Sequence, residues 1–151
     1  MATAKFTQKF EMDQAVQDLF PLFSAEGEKL WVPGWDYENI MGGNELHEDY
    51  AFLTTTQDYA STDFKAIWLV KEYDPDNHLV VFYKVEPMDK IAIVTVKCAG
   101  FGVRKTTVTV SYEYIGLSDK GNEFINNYTQ TDYDGYIGEW QMLLEKYFEN
   151  K

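Results

Sequence analysis

The sequence predicts an α+β fold: one curved antiparallel sheet of seven strands wrapped around a long C-terminal helix, in the order β-α-α-β-β-β-β-β-β-α. Three observations predict it. Residues 118–149 carry the one long helical period of the chain. From Tyr133 onward, Tyr136, Ile137, Trp140, Leu143, Leu144, Tyr147 and Phe148 recur at spacings of three and four, which gathers them on one side of a helix. Between Asp36 and Gly116 there is no helical period, only short runs rich in Val, Ile, Thr and aromatics. The turn residues that separate those runs form segments short enough to join antiparallel neighbours. A sheet with one apolar face and a helix with one apolar stripe bury each other.

Residues 4–12 alternate apolar and polar through Phe6 and Phe10 and read as the first strand. Asp13 is the expected cap of a short helix whose buried side is Ala15, Val16, Leu19 and Phe20. Pro21 should stop it, because the residue before proline is pushed out of helical geometry. Ser24 is the expected cap of a second short helix running to about Trp31, ended by Pro33 and Gly34. Six strands follow, at 36–41, 49–56, 64–73, 79–86, 90–98 and 103–115. Their separators are Gly42-Gly43-Asn44, Asp74-Pro75-Asp76-Asn77, Pro87-Met88-Asp89 and Gly100-Phe101-Gly102. In the last strand Val108, Val110, Tyr112 and Tyr114 share the helix-facing side, and parity puts Arg104 on that side too. Phe64, Ala66, Trp68 and Val70 are the inward set of the 64–73 strand, since Lys65 and Lys71 must be solvated. The period leaves the facing of 79–86 and 90–98 open.

The terminal pattern does not run unbroken. Phe124, Ile125 and Tyr128 point roughly 120° away from the later stripe, at about 100° per residue. A straight helix of this length would reach roughly 48 Å, beyond a compact domain of this size. A break is expected near residues 129–132, with Ser118 capping the first segment and Thr131 the second. Gly135 and Gly138 lie on the polar side, as weak spots or as the hinge of a lid.

Charge narrows the function classes. The 13 basic and 25 acidic side chains give a formal net charge of −12, which disfavours nucleic acid and anionic bilayers as partners. No apolar run approaches the roughly 18 residues of a spanning helix, and the first residues lack a signal-peptide core. A cytoplasmic protein with no stable membrane insertion is expected. The chain length suits a single domain, 1–151. Cys98 stands alone, which excludes an internal disulfide, and its apolar strand predicts an inert thiol. His47 and His78 sit at separate turns, so neither metal nor cofactor is expected. Aromatic residues make up 17% of the chain, and they must fill the interior or line a cavity in it.

The segment Phe20-Pro21-Leu22-Phe23-Ser24-Ala25-Glu26-Gly27-Glu28-Lys29-Leu30-Trp31-Val32-Pro33-Gly34-Trp35 places a Glu three residues before a Trp and follows it with Pro-Gly-Trp. With residues 48–55, Asp74-Pro75, Leu117-Ser118 with Gly121, and the ending 140–148, it resembles the START-like (SRPBCC) helix-grip superfamily along the whole chain. That superfamily includes polyketide cyclase/dehydrase-like and lipid-transfer proteins. Many such relatives have Pro where this chain has Ala25. The resemblance implies an interior pocket for a small apolar or aromatic molecule, lipid or polyketide-like, and leaves the chemistry undefined.

Candidate ligand-binding residues follow from the inferred inner faces. Trp31, Trp35, Trp68 and Trp140, with Phe52, either line a cavity or fill the core, and indole nitrogens would select polar groups. Tyr112, Tyr114, Tyr128 and Tyr136 offer hydroxyls that either orient a carbonyl or phenol or satisfy backbone. Arg104 either binds a carboxylate or enolate or closes an ion pair at a strand end. Glu28 is either a general acid dried out by Trp31 or a structural carboxylate at a helix end. The leading expectation is a binding domain holding a small apolar ligand between sheet and helix. The alternatives are a cyclase/dehydratase-type enzyme using Arg104, Glu28 and a pocket tyrosine, and an interaction module resembling chaperone-ATPase activators. A homodimer is compatible with all three.

Overall fold

The computed structural model describes residues 1–55 and 65–151. Seven antiparallel strands form one sheet in the order β1-β7-β6-β5-β4-β3-β2. They are β1 (Thr3–Met12), β2 (Glu38–Asn39), β3 (Ala51–Thr55), β4 (Lys65–Asp74), β5 (Leu79–Glu86), β6 (Lys90–Phe101) and β7 (Lys105–Gly116). Two one-turn helices, α1 (Val16–Leu19) and α2 (Ala25–Glu28), separate β1 from β2, and α3 (Asp119–Asn127) and α4 (Gln130–Glu149) end the chain. No helix among the described residues is long and apolar enough to cross a membrane.

Period-2 burial sets the inner face. Thr106, Val108, Val110, Tyr112 and Tyr114 of β7 are all buried, as are Ala92, Val94, Val96 and Cys98 of β6. The open facings are now settled: Val80, Phe82 and Glu86 of β5 point inward with Lys84, and Lys90 begins the inner row of β6. Ala66, Trp68 and Val70 face inward as expected, whereas Phe64 and Thr56 lie outside the described residues.

The long helix is tied to one side of this hollow. Tyr133 Oη donates to the Val110 carbonyl at 2.7 Å, Gln8 Nε2 to Asp134 Oδ1 at 2.9 Å, and Gln141 Nε2 to the Glu11 carbonyl at 3.2 Å. All three anchors lie on β1 and β7, and Tyr133, Ile137, Trp140 and Leu144 form the buried face of α4. The hollow in front of β3, β4 and β5 is therefore left for other elements to close.

Several local expectations are corrected. Asp13 does not cap α1; Ala15 holds that position without a side-chain bond, and Asp13 pairs at the surface with Lys105 at 3.2 Å. Phe20 stays helical before Pro21, which enters a 3₁₀ turn (Phe20–Leu22) near its start, where a missing N–H is harmless. Ser24 does cap α2, accepting from Gly27 N at 2.9 Å, but regular helix stops at Glu28 and successive tight turns carry the chain to Val32. The 36–41 strand shrinks to Glu38–Asn39 at the sheet edge, where Ile40 and Met41 are half exposed. The cap of α4 is Thr129, not Thr131. Its hydroxyl accepts from Asp132 N at 3.1 Å while Asp132 Oδ2 accepts from Thr129 N at 2.9 Å.

The correction with most functional weight is at the β6–β7 hairpin. Strand β6 runs through Gly100 to Phe101, and the turn falls at 102–104, with Gly102 at φ +68°. At Gly100 the strand passes close to α1, where a Cβ would press on Val16 at 3.1 Å. Arg104 consequently sits in the turn, exposed, where strand parity no longer applies.

Candidate functional site

The Glu28–Trp31 spacing arises from how α2 docks. A Cβ on Gly27 would collide with the Pro21 carbonyl and come within 2.7 Å of Leu22 Cα, so only glycine lets α2 lie against the preceding 3₁₀ turn. Trp31 Nε1 then donates to the Leu22 carbonyl and Trp35 Nε1 to the Ala25 carbonyl, each at 2.8 Å. These bonds staple residues 31–36 across the mouth of the hollow.

Beneath that strap lies a cavity of ≈ 620 Å³. Its roof is Glu28 and residues 31–36; its floor is Thr54 and Thr55 of β3, Trp68 of β4, Lys84 and Glu86 of β5 and Tyr112 of β7. Tyr136, Glu139, Trp140 and Leu143 of α4 form the remaining side. Two aromatic walls meet there. Trp35 packs edge-on to Trp68 at 6.0 Å, and Trp31 packs edge-on to Trp140 at 5.6 Å. Trp68 Nε1 donates to Thr54 Oγ1 at 2.8 Å. Three indole N–H groups are thus committed to the protein, which corrects the expectation that they select a ligand's polar groups.

Of the eleven expected site residues, Glu28, Trp31, Trp35, Trp68, Tyr112, Tyr136 and Trp140 line this cavity together. Phe52 backs its wall, stacked on Trp68 at 5.6 Å with the rings 8° apart. Tyr114 and Tyr128 belong instead to a second aromatic cluster under α3. There Tyr114 meets Phe124 at 5.5 Å and Tyr128 stacks on Phe124 at 4.9 Å. Arg104 does not line the cavity.

Lys84, Glu86, Thr54 and Glu139 were not expected. Lys84 and Glu86 continue the inner row of Val80 and Phe82 at period 2; that regular spacing was the available signal, obscured because Leu79, Val81, Tyr83 and Val85 make the opposite row equally apolar. Glu86 is buried between Lys90, at 2.7 Å, and Lys84, at 3.5 Å. Burial alone would raise its carboxyl, but the two ammonium groups outweigh it and hold the group below its ordinary range. Lys84 Nζ also lies 5.3 Å from the centre of the Trp68 ring. Asp89, on Lys90's other side at 3.7 Å, accepts the close approach of α3 at Gly121, where any Cβ would strike the Asp89 carbonyl.

Glu28 is the odd acid of the site. It keeps some accessible area because it lines the cavity, yet its carboxyl lies deep, and burial pushes it up to about 8 against a weaker downward pull from Lys84. Tyr112 Oη lies 3.3 Å from Tyr136 Oη. Burial, then Tyr136 and Tyr114, keeps the Tyr112 phenol well above its ordinary value, so it acts as a neutral donor and acceptor. Elsewhere, burial pushes Cys98 up to about 12, which matches an inert thiol.

No family model matches the sequence, and no curated protein matches it. Solved structures do. Major latex-like protein 151 from Panax ginseng superposes with a TM-score of 0.70 at 15% identity, covering 95% of this chain and 96% of that one. Norcoclaurine synthase from Thalictrum flavum, in complex with dopamine and hydroxybenzaldehyde, gives 0.67 at 13% identity, over 96% and 88%. The Zhui aromatase/cyclase from Streptomyces sp. R1128 gives 0.61 at 8% identity, over 97% and 87%. At such identities the likeness concerns the backbone, and the backbone is that of a helix-grip fold: an open seven-stranded antiparallel sheet curved around a long C-terminal helix.

Proposed function

We propose that this protein holds a small hydrophobic or aromatic molecule in the cavity between sheet, strap and α4. The observation that carries the reading is a hollow of ≈ 620 Å³ walled by four tryptophans that the side chains of the described residues leave unfilled. A chaperone-activating interaction module would be expected to have a filled interior instead. The similar folds of a major latex-like protein, norcoclaurine synthase and an aromatase/cyclase support the reading by analogy.

Native mass spectrometry of gently purified protein tests it, together with titration of the neutral dye Nile red. A co-purifying small molecule, or saturable dye emission lost when Leu143→Trp fills the cavity, is expected. A bare chain that takes up no dye overturns the reading.

Glu28 favours a second reading, in which the bound molecule also undergoes proton transfer. A carboxyl raised by burial to about 8 suits a general acid or base. Tyr112 and Tyr136 would orient the reacting oxygen. Arg104, exposed in its turn, has no part in this version. Turnover of a cyclisable or dehydratable aromatic substrate that Glu28→Gln abolishes, while Arg104→Ala retains it, is the expected pattern for an enzyme.

A further inference from the structure

The polar groups that remain available in the cavity restrict the chemistry of its occupant. With the N–H groups of Trp31, Trp35 and Trp68 bonded to protein oxygens, those rings offer the cavity their π faces and C–H edges. The lining holds four acids, Glu28, Asp36, Glu86 and Glu139, against one base, Lys84. Asp36 and Glu139 line the cavity and are exposed, so they add to the repulsion an anion meets from a chain of net charge −12. Lys84 is already engaged by Glu86 at 3.5 Å and by the Trp68 ring at 5.3 Å. That second contact shows that the wall accepts a cation on a ring face.

We propose that the occupant is an amine carried as its ammonium ion on an aromatic or alkyl body, with the Glu28 carboxylate as counter-ion and the tryptophan rings around it. This rests on the ligand-holding reading above. Among the described residues, the charged and titratable groups that line the cavity with Glu28 are Lys84 and Glu86 from β5, Tyr112 from β7, Tyr136 and Glu139 from α4, and Asp36 from the strap. Among them Lys84 is the one cation, and it leaves the carboxyl raised to about 8. In the empty cavity at neutral pH Glu28 therefore carries its proton. Binding an ammonium ion releases that proton to solvent, one per amine bound, and exchanges a neutral acid for an ion pair. Affinity should then climb about tenfold per pH unit up to about pH 8 and level off above it.

Three probes with one ring system test this: 1-naphthylmethylamine, 1-naphthalenemethanol and 1-naphthoate, each displacing Nile red from the full chain between about pH 6 and about pH 8. Calorimetry of the amine in two buffers of different ionisation enthalpy counts the protons. The expected result is an amine at least about tenfold tighter than the alcohol at the upper pH, a carboxylate weakest of the three, and close to one proton released at the lower pH. Glu28→Gln should erase both the amine preference and the pH slope. Proton release is read on the unsubstituted protein, so the test survives a variant that folds poorly.

An alcohol as tight as the amine, a tighter carboxylate, no proton release, or an amine preference that outlasts Glu28→Gln each overturns the amine inference while dye binding keeps the cavity reading. Failure of Nile red and all three probes overturns both.

Discussion

At the scale of single residues, Glu28 is where this fold stores an unusual ionisation. Its neighbours in sequence, Glu26 and Lys29, pair with each other at 3.5 Å on the outside, and Glu26 also accepts from Tyr37 Oη at 2.5 Å. The Glu26 carboxyl is accordingly lowered, the Tyr37 bond first among the causes, while Glu28, two positions on and facing inward, is raised by burial. Because the folded chain holds the Glu28 proton more tightly than the unfolded chain does, the associated stability is fully present below about pH 4.5. It is lost as the pH rises to about 8. Glutamine has no such loss. The stability of Glu28→Gln relative to the parent should therefore improve across that window, by at most about 1.4 kcal/mol per pH unit, as read by urea unfolding at a series of pH values. A flat difference would show that the carboxyl is solvated.

The same scale explains why the sequence located some site residues and not others. Trp68 and Trp140 were assigned from apolar periodicity and Trp31 from the segment of residues 20–35, and a large ring buried in a concave fold ends up near the concavity. Arg104 was assigned by counting alternation backward from Tyr112 and Val108. The count was sound as far as Thr106 and failed beyond Lys105, where the strand stops. Lys84 escaped notice because a lysine on a strand is ordinarily solvated, and only the neighbouring Glu86 and Trp68 make its inward position tolerable.

At the scale of elements, two junctions hold the site in place. The first is the α3–α4 break, where Thr129 and Asp132 cap each other's backbone. Thr129→Ala should cost about 1 kcal/mol and lower Tm by about 2–4 °C in a calorimetric scan. The companion substitution Thr131→Ala should leave Tm within a fraction of that drop, since Thr131 lies inside α4 and is exposed. The second junction is the docking of α2 on the 3₁₀ turn through Gly27. Alanine, although a better helix former, meets backbone atoms of Pro21 and Leu22 that cannot yield cheaply. Gly27→Ala should destabilise by about 1–3 kcal/mol and also displace Glu28, so dye affinity should fall with stability. Unchanged affinity in a destabilised variant would separate the strap's position from that of α2.

At the scale of the whole molecule, the long helix governs where empty space survives. Its anchors on β1 and β7 draw it to one side, and Trp140 leans from it against Phe23 and Trp31, joining helix, strap and 3₁₀ turn in one aromatic contact. Trp140→Ala should therefore cost about 3–5 kcal/mol in denaturant unfolding with an unchanged m-value. A loss below about 1 kcal/mol would mean that the ring serves the ligand and not the scaffold.

By itself the sequence determined the order of elements, the inner faces of β4 and β7, the cap at Ser118, the broken terminal helix and seven of the cavity-lining residues. Apart from Glu28, Trp31 and Trp35, which the family resemblance of residues 20–35 singled out, these follow from periodicities of two and 3.6 residues and from local capping chemistry, which act over a few neighbours and are written in the chain directly. Only the tertiary structure decided the inward row of β5, the turn that carries Arg104 outward, the bonded state of the indole nitrogens and the raised carboxyl of Glu28. Each depends on groups distant in sequence: Lys84 faces inward because Glu86 and Trp68 receive it, and the Glu28 carboxyl is raised because the assembled surroundings bury it. Burial and electrostatics are properties of the assembled surroundings, so no spacing along the chain encodes them.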